Sequence, residues 1–197
     1  MKRLSIFLAA LMVVSSATVS AKPETDKRAT AIFAMGCFWC AEADFEKVDG
    51  VVDVVSGYTG GRVRNPSYEQ VSAGGTGHYE AVLVTYDPSK VKYSDLLSVF
   101  WRNVDPFDAE GQFCDKGESY RAAIFPSSMA ERKAADASRE YLVAHFKRDL
   151  ATRIITRAPF YRAEDYHQDY YKKSPLRYRY YRSRCGRDDR LAEVWGK

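Results

Sequence analysis

Residues 31–40 read AIFAMGCFWC, and this stretch decides how the fold begins. Its first five residues are continuously apolar, as a central strand buried on both faces requires. Gly36 ends the run, and beyond it apolar residues recur at helical spacing: Phe38, Ala41, Phe45 and Val48. The stretch therefore predicts a buried strand, a tight turn and an amphipathic helix that Gly50 ends.

The N-terminal 21 residues have the pattern of a secretory signal peptide. Lys2 and Arg3 precede an apolar run over residues 4–14, and Val19-Ser20-Ala21 supplies the small residues of a cleavage site. The apolar run is too short for a membrane span, so we predict cleavage after Ala21 rather than an uncleaved anchor. The product would be periplasmic or secreted, in a compartment where disulfides persist.

The remaining chain has the composition of one globular domain. Residues 22–29 are polar and predict a flexible lead-in to a domain spanning residues 30–197. The whole chain of 197 residues is 46% hydrophobic and 28% charged, which is typical of a folded protein. Of its 30 basic residues only Lys2 and Arg3 precede the cleavage site, so 28 basic and 26 acidic residues remain, a net charge of +2. This balance indicates no strongly charged partner.

Strand and helix patterns follow one another in mixed order, which favours an α+β fold in one domain. Further strands are predicted over residues 51–58, 78–86, 121–125 and 153–156. Helices are predicted from caps at Ser94 and Ser128, and over residues 164–173. Residues 105–119 show no periodicity, and a loop of that length is often functional. Residues 174–197 form a basic, tyrosine-rich C-terminal tail.

Cys37 lies between the predicted strand and the predicted helix. Unpaired backbone N–H groups at a helix N-terminus carry partial positive charge, so we expect the pKa of Cys37 to fall and its reactivity to rise. Cys40 is three residues further on, and in a helix this separation is within disulfide range. The pair therefore predicts thiol chemistry.

Three other interpretations of this pair compete with thiol chemistry. A zinc site needs a second ligand pair, and neither Cys114 nor Cys185 has a close Cys or His neighbour, so we expect no metal. A purely structural disulfide is disfavoured by the two aromatic residues between the cysteines, but it stays open. A thioredoxin-like oxidoreductase also stays open on spacing alone.

Glu80 is a candidate general acid. On the predicted strand it shares a face with Val82 and Val84, so its carboxyl should be desolvated. Desolvation raises a carboxyl pKa and keeps a proton on it near neutral pH, as a general acid requires. An equally weighted alternative is that Glu80 faces solvent at the strand end.

Several motifs in register resemble those of the A-type peptide methionine sulfoxide reductases. The resemblance covers the chain from about residue 30 onward and rests on these segments: AMGCFW at 34–39, SGYTGG at 56–61, NPSY at 65–68, GHYEAV at 77–82, DKGESYR at 115–121 and AEDYHQ at 163–168. It implies a two-layer α/β sandwich with a mixed sheet, a ferredoxin-like core and long loops.

The resemblance also implies a mechanism. Cys37 would attack the sulfur of a methionine-(S)-sulfoxide, free or in proteins, release methionine and become a sulfenic acid. Glu80 would protonate or hydrogen-bond the sulfoxide oxygen, to which Tyr68 and Tyr120 would also donate. Asp115 would help to order the site.

Phe38 and Trp39 would form the apolar wall against the S-methyl group, since sulfur beside an aromatic ring is a favourable contact. Ordinary core packing is a serious alternative for Phe38, which lies on the apolar stripe of the helix. It is a weaker alternative for Trp39, which lies off that stripe.

A second thiol should condense with the Cys37 sulfenic acid to give a disulfide. Many members of the family use a cysteine in a C-terminal tail, which favours Cys185. Many also carry glycine where this chain has Cys40, so Cys40 is an alternative or a second relay. Cys114 is interpreted as a structural thiol near the site.

Electrons would come from a thioredoxin-like dithiol, with no cofactor. Because the protein is predicted to be exported, we expect a periplasmic donor, a monomer, and no stable membrane association after cleavage. An exported thioredoxin-like oxidoreductase is the alternative function. Nucleic-acid binding through the Arg- and Tyr-rich residues 177–184 is disfavoured by export and by the small net charge.

Overall fold

The computed structural model describes residues 28–196. The predicted signal peptide and all but the end of the predicted lead-in lie outside these residues. The strands are β1 (Ala29–Met35), β2 (Val51–Thr59), β3 (Tyr79–Tyr86), β4 (Gly111–Gln112), β5 (Asp115–Lys116), β6 (Ala122–Phe125), β7 (Arg153–Ile154) and β8 (Phe160–Arg162). The helices are α1 (Phe38–Phe45), α2 (Tyr68–Ser72), α3 (Tyr93–Arg102), α4 (Met129–Phe146), α5 (Tyr170–Lys173), α6 (Pro175–Arg184) and α7 (Arg187–Trp195), with a 3₁₀ turn at Glu118–Tyr120.

Six strands form one mixed sheet in the order β7-β6-β1-β3-β2-β8, while β4 and β5 form a separate hairpin. The pairings of β1 with β3 and β6, and of β2 with β3 and β8, are antiparallel, and β6 pairs with β7 in parallel. At the centre, Phe33 lies opposite Val82 on one side and Ile124 on the other. The predicted α+β single-domain fold with a mixed sheet is confirmed.

Strand β1 is buried on both faces, as its continuous apolar run predicts. On the helical face the ring of Phe33 stacks on Phe45 at 5.0 Å and on Phe100 at 5.5 Å, which joins the sheet to α1 and α3. On the other face Ile32 and Ala34 belong to a smaller buried cluster. Packing on both faces fixes the position of the strand end that carries Gly36 and Cys37.

Two predicted helix boundaries are wrong. The first helix ends at Phe45, ahead of Gly50, and Val48 packs on the core from the turn that follows. Helix α3 is capped at Lys92 rather than Ser94, because the side chain of Asp95 accepts the Lys92 N–H at 2.9 Å. The carboxylate of Asp95 thus satisfies the backbone N–H of Lys92 at the start of the helix.

The helix predicted over residues 164–173 is also wrong, since only Tyr170–Lys173 is helical. The side chains of this segment bind distant backbone instead of continuing a helix. Gln168 accepts the N–H of Ser56 at 2.9 Å and donates to its carbonyl at 3.0 Å. These long-range bonds attach the segment beside β2.

The predicted tail is two packed helices, α6 and α7. Tyr178 is buried against Cys40 and Ala43 of α1. Arg187 is only 2% exposed and donates to the carbonyl of Met35 at 3.3 Å. Arg182 bridges Asp44 of α1 at 3.0 Å and Asp188 of α7 at 2.7 Å, which joins the C-terminal helices to the first helix. No helix within residues 28–196 is long and apolar enough to cross a membrane.

Candidate active site

The turn between β1 and α1 places Cys37 directly before the helix. Its carbonyl accepts the N–H groups of Cys40 at 3.1 Å and Ala41 at 3.3 Å. Gly36 has φ +79°, and a Cβ there would lie 2.6 Å from the Cβ of Gln112. Glycine is therefore required both by the backbone conformation and by the close approach of the loop that carries Gln112.

Glu80 lies on β3 under the start of α1. Its side chain is 3% exposed and accepts the backbone N–H of Phe38 at 3.1 Å. Burial raises its pKa to about 8. The hydrogen bond from Phe38 lowers this pKa and the charge of Asp115 raises it, but burial has the largest effect. The prediction of a buried carboxyl that stays protonated near neutral pH is confirmed, and the solvent-facing alternative is wrong.

A small cavity of about 80 Å³ opens beside these two residues. Eight side chains line it: Cys37, Phe38, Trp39, Tyr68, Glu80, Asp115, Tyr120 and Tyr181. The structure therefore brings together seven predicted site residues from five separate parts of the chain. Cys40 and Cys185 do not line the cavity, and Tyr181 was not predicted.

The hydroxyls of Tyr68 and Tyr120 remain protonated donors. Burial, then the charge of Glu80, raises the pKa of both tyrosines above its ordinary value. A side-chain hydrogen bond with Tyr120 lowers the pKa of Glu80. The two hydroxyls and the carboxyl can thus converge on one oxygen atom in the cavity.

Residues of the AEDYHQ segment hold the cavity wall in place. Glu164 accepts the N–H of Tyr68 at 2.8 Å and the hydroxyl of Tyr58 at 2.9 Å. His167 accepts the indole N–H of Trp39 through Nδ1 at 3.1 Å, and its ring lies 4.9 Å from that of Phe38. In the sequence, Glu164 and His167 stand out only as part of a motif, because spacing gives no sign of contacts this distant.

The two thiols beside the cavity are free and buried, with Cys37 6% and Cys40 2% exposed. Burial raises the pKa of Cys37, and Cys40 and Glu80 raise it further. The expected fall in this pKa is therefore wrong for this state. Glu80 already accepts the first helical N–H, that of Phe38, so the positive end of the helix serves the carboxyl rather than the thiol.

Cys40 carries the lower pKa of the pair. A hydrogen bond with Cys37 lowers the pKa of Cys40 to about 7. Burial raises this pKa, and the positive charges of Arg187 and Arg182 lower it. Both arginines come from the C-terminal helices. Of the two thiols, Cys40 therefore loses its proton first, and it lies next to α6 and α7.

Cys114 and Cys185 form a disulfide across 71 residues of sequence. The interpretation of Cys114 as a free structural thiol near the site is wrong, because its sulfur is bonded to that of Cys185. Cys114 is exposed and Cys185 half-buried. Which cysteine first resolves the Cys37 sulfenic acid stays a prediction.

Tyr181 connects the disulfide region to the cavity. Its hydroxyl donates to the carboxylate of Asp115 and forms a hydrogen bond with Cys37. Its ring meets Trp39 edge-on at 5.8 Å, and Trp39 stacks on Tyr170 at 3.8 Å. In a helix, residues four positions apart lie on the same face. The spacing of Tyr181 and Cys185 therefore places Tyr181 near the disulfide only once the tail is known to be helical.

Two groups within residues 28–196 have spacing that suits a metal ion. In the group of Cys114, Asp115 and Cys185 the two sulfurs are bonded to each other. In the group of Glu42, Glu46 and Asp169, the ammonium of Lys172 lies 2.5 Å from Glu46 and 2.8 Å from Asp169. Contacts within the protein therefore engage both groups.

Comparison with known proteins gives consistent matches. The family described as peptide methionine sulfoxide reductase matches residues 29–197. "Peptide methionine sulfoxide reductase MsrA 2" of Caulobacter vibrioides is 49% identical over 199 residues and covers 100% of both chains. The solved structure of methionine sulfoxide reductase A of Corynebacterium diphtheriae superposes with a TM-score of 0.70 at 30% identity, over 81% of each chain. Mxr1 of Saccharomyces cerevisiae in complex with Trx2 gives a TM-score of 0.53 at 25% identity, over 77% of this chain and 91% of that one.

Replacement of Glu80 by Gln tests the buried carboxyl through stability. Between pH 4.5, the ordinary pKa, and about 8, the unfolded chain loses this proton while the folded protein keeps it. The free energy of unfolding of the wild type therefore falls across this window, and Glu80→Gln removes that part of the fall. We expect the stability of the variant relative to wild type to rise by roughly 2–4 kcal/mol from pH 5 to pH 9 in urea unfolding. Glu140→Gln, on an exposed part of α4, is the control, and parallel curves for Glu80→Gln and wild type would contradict the assignment.

Proposed function

The chain belongs to the peptide methionine sulfoxide reductase family, and we propose that it reduces methionine-(S)-sulfoxide, free or in oxidised proteins, with Cys37 as nucleophile. The observation that carries this proposal is the cavity beside Cys37. A sulfur nucleophile, a buried carboxyl and two tyrosine hydroxyls border a space that fits a small polar head group. The alternative, a thioredoxin-like oxidoreductase, gives Glu80 and these hydroxyls no role.

In the first step Cys37 passes its proton to the hydrogen-bonded Cys40 thiolate and attacks the sulfoxide sulfur, methionine leaves, and the oxygen passes to Cys37 as a sulfenic acid. Negative charge grows on the sulfoxide oxygen as its bond to sulfur weakens. Glu80 supplies a proton or a hydrogen bond to this oxygen, and Tyr68 and Tyr120 donate to it. Asp115, held by Tyr181, orders the far wall of the cavity.

The S-methyl group of the substrate lies against Phe38 and Trp39. The ring of Phe38 is buried in the core and also lines the cavity, so both interpretations from the sequence apply to it. Trp39 is fixed between its hydrogen bond to His167 and its stacking on Tyr170. A rigid aromatic wall favours contact with an apolar sulfur substituent over a polar one.

Cys40 resolves the sulfenic acid first in this proposal. It forms a hydrogen bond with Cys37 and has the lower pKa, whereas Cys185 is bonded to Cys114. Condensation of the Cys40 thiol with the sulfenic acid gives a Cys37–Cys40 disulfide and releases the oxygen, with the thiol proton, as water. This order replaces the preference for Cys185 drawn from the sequence.

The reductant is a thioredoxin-like dithiol, which returns the enzyme to its thiol form without a cofactor. The complex of the related yeast Mxr1 with Trx2 supports this partner. We further propose that the protein acts as a monomer.

Export from the cytosol is proposed on residues 1–21, whose basic start, apolar run and small-residue site suit cleavage after Ala21. Expression in a Gram-negative host should give a periplasmic protein whose N-terminal residue is Lys22, because cleavage removes the preceding segment. Intact mass and N-terminal sequencing of the periplasmic fraction measure this. Full-length protein confined to the cytosol would contradict both export and the periplasmic donor.

Activity is tested with the protein from residue 22 onward, dithiothreitol as reductant, and a peptide that contains methionine sulfoxide. We expect reduction of the S epimer only, no turnover by Cys37→Ser, and a loss of about 10²–10³ in kcat for Glu80→Gln, since that variant keeps the shape but has no acidic proton. Glu140→Gln should match the wild type. Full activity in Cys37→Ser would exclude the proposed nucleophile.

The order of disulfide formation is tested by adding one equivalent of substrate to reduced protein and quenching with a thiol-blocking reagent. Peptide mapping at the earliest time should find Cys37 joined to Cys40, because these sulfurs already contact each other. The Cys40→Ser variant is the control and should slow the formation of any disulfide to Cys37. A Cys37–Cys185 bond in the earliest wild-type sample would restore the original preference.

A further inference from the structure

We propose that Tyr166 and Glu69 form a subsite beside the active-site cavity that binds a basic side chain of the polypeptide substrate. The inference rests on the proposed function and names the class of polypeptide that the same site prefers. Both residues are exposed and lie on segments that meet at the cavity wall. Glu69 follows Tyr68 in α2, and Tyr166 precedes His167 in the AEDYHQ segment.

The size of the cavity leaves most of a polypeptide substrate outside it. Its volume of about 80 Å³ gives room for little more than the sulfoxide end of one side chain. In an extended chain alternate side chains point to the same side, about 7 Å apart. The side chains two positions before and after the methionine sulfoxide therefore face the protein surface around the cavity.

The ring of Tyr166 extends the aromatic wall of the cavity outward. Its centroid lies 4.2 Å from that of His167, which in turn lies 4.6 Å from that of Tyr68. Tyr68 lines the cavity, so two ring contacts lead from the cavity to Tyr166, a span similar to that between alternate side chains of a peptide. Tyr166 is 55% exposed, and the face of an aromatic ring attracts a cation.

Carboxylates give the surface around Tyr166 a negative charge. A hydrogen bond with the Ser67 side chain lowers the pKa of Glu69, so this carboxylate is ionised at neutral pH. Burial raises the pKa of Tyr166, and the charges of Glu164 and Glu69 raise it further, which places both carboxylates near its hydroxyl. Glu164 already accepts two hydrogen bonds within the protein, whereas the exposed Glu69 can pair with a cation from outside.

The neighbouring cations of the protein itself are engaged elsewhere. Arg162 pairs with Asp165 at 2.5 Å, and Lys173 donates to the carbonyl of Asp165 at 2.9 Å. Among the residues that the structure describes, no lysine or arginine lies over the ring of Tyr166 or pairs with Glu69. A basic side chain of the substrate would therefore meet an aromatic face and an unpaired carboxylate, while an acidic one would be repelled.

The expected preference is modest, because both interactions are made at the surface. A cation over an exposed aromatic ring and an exposed charge pair each strengthen binding by up to about fivefold. The subsite lies away from the sulfoxide, so it acts alike on the bound substrate and on the transition state, and the preference should appear in KM rather than in kcat. Salt should weaken it, since the carboxylate is exposed.

The test compares three peptides that each contain one methionine sulfoxide. They differ only at the positions two before and two after it, which are both lysine, both glutamine or both glutamate. With dithiothreitol as reductant at low ionic strength, the KM of the wild type should be about three- to tenfold lower for the lysine peptide than for the glutamine peptide, and highest for the glutamate peptide.

Four variants locate the subsite. Glu69→Gln removes the charge and Tyr166→Leu removes the ring, so each should reduce the lysine preference by about two- to fivefold. Tyr166→Phe keeps the ring face, and Glu140→Gln changes an exposed carboxylate on α4, so both should keep the wild-type preference. Each preference is a ratio of two peptides on one protein, so a general loss of activity in a variant cancels.

Equal KM values of the wild type for the lysine and glutamine peptides would overturn the subsite while leaving the proposed function intact. A lysine preference that either Glu69→Gln or Tyr166→Leu keeps in full would also overturn it. Failure of the wild type to reduce any of the three peptides would instead refute the proposed function.

Discussion

The hydrogen bond from the Phe38 N–H to Glu80 is the interaction on which the site depends. It joins the first residue of α1 to β3 and sets the helix start over one of the two central strands of the sheet. A carboxyl at a helix N-terminus is normally stabilised as the anion. Here burial outweighs that effect and raises the pKa of Glu80 to about 8, so a group in an anion-binding position keeps its proton.

This competition also explains the state of the thiols. Glu80 accepts the first N–H of α1, that of Phe38. Cys37 is left buried and protonated, while Cys40 faces the arginines of α6 and α7. Cys37 therefore lies at the cavity, where it attacks the substrate. Cys40, whose thiolate is stabilised, lies beside it and resolves the sulfenic acid.

The C-terminal third of the chain supplies most of the support for the cavity. Glu164 holds the loop of Tyr68, His167 orients Trp39, and Arg187 donates to the last residue of β1. Tyr181 closes the cavity wall from α6. Chemistry that begins in the first strand therefore depends on residues more than a hundred positions later, and the Cys114–Cys185 bond fixes those helices to the hairpin that carries Asp115.

The sequence by itself determined the local features of this protein. The apolar run before Gly36 specifies a buried strand, and the ordered motifs specify the family. These features depend on neighbours a few residues apart, where period and residue type suffice. The helix boundaries at Lys92 and in residues 164–173 were wrong because side-chain hydrogen bonds, one local and others long-range, replaced the expected pattern.

Only the tertiary structure decided which sulfur is bonded, which is buried and which is charged. The predicted helix start favoured a low pKa for Cys37, because sequence shows neither desolvation nor the hydrogen bond from the helix start to Glu80, and the family resemblance favoured Cys185 as the resolving cysteine. The helical tail was missed because its arginines and tyrosines give no apolar stripe, although Arg187 and Tyr178 are buried once they meet α1 and β1. Burial and pairing depend on the distances between remote segments, and those distances exist only in the folded chain.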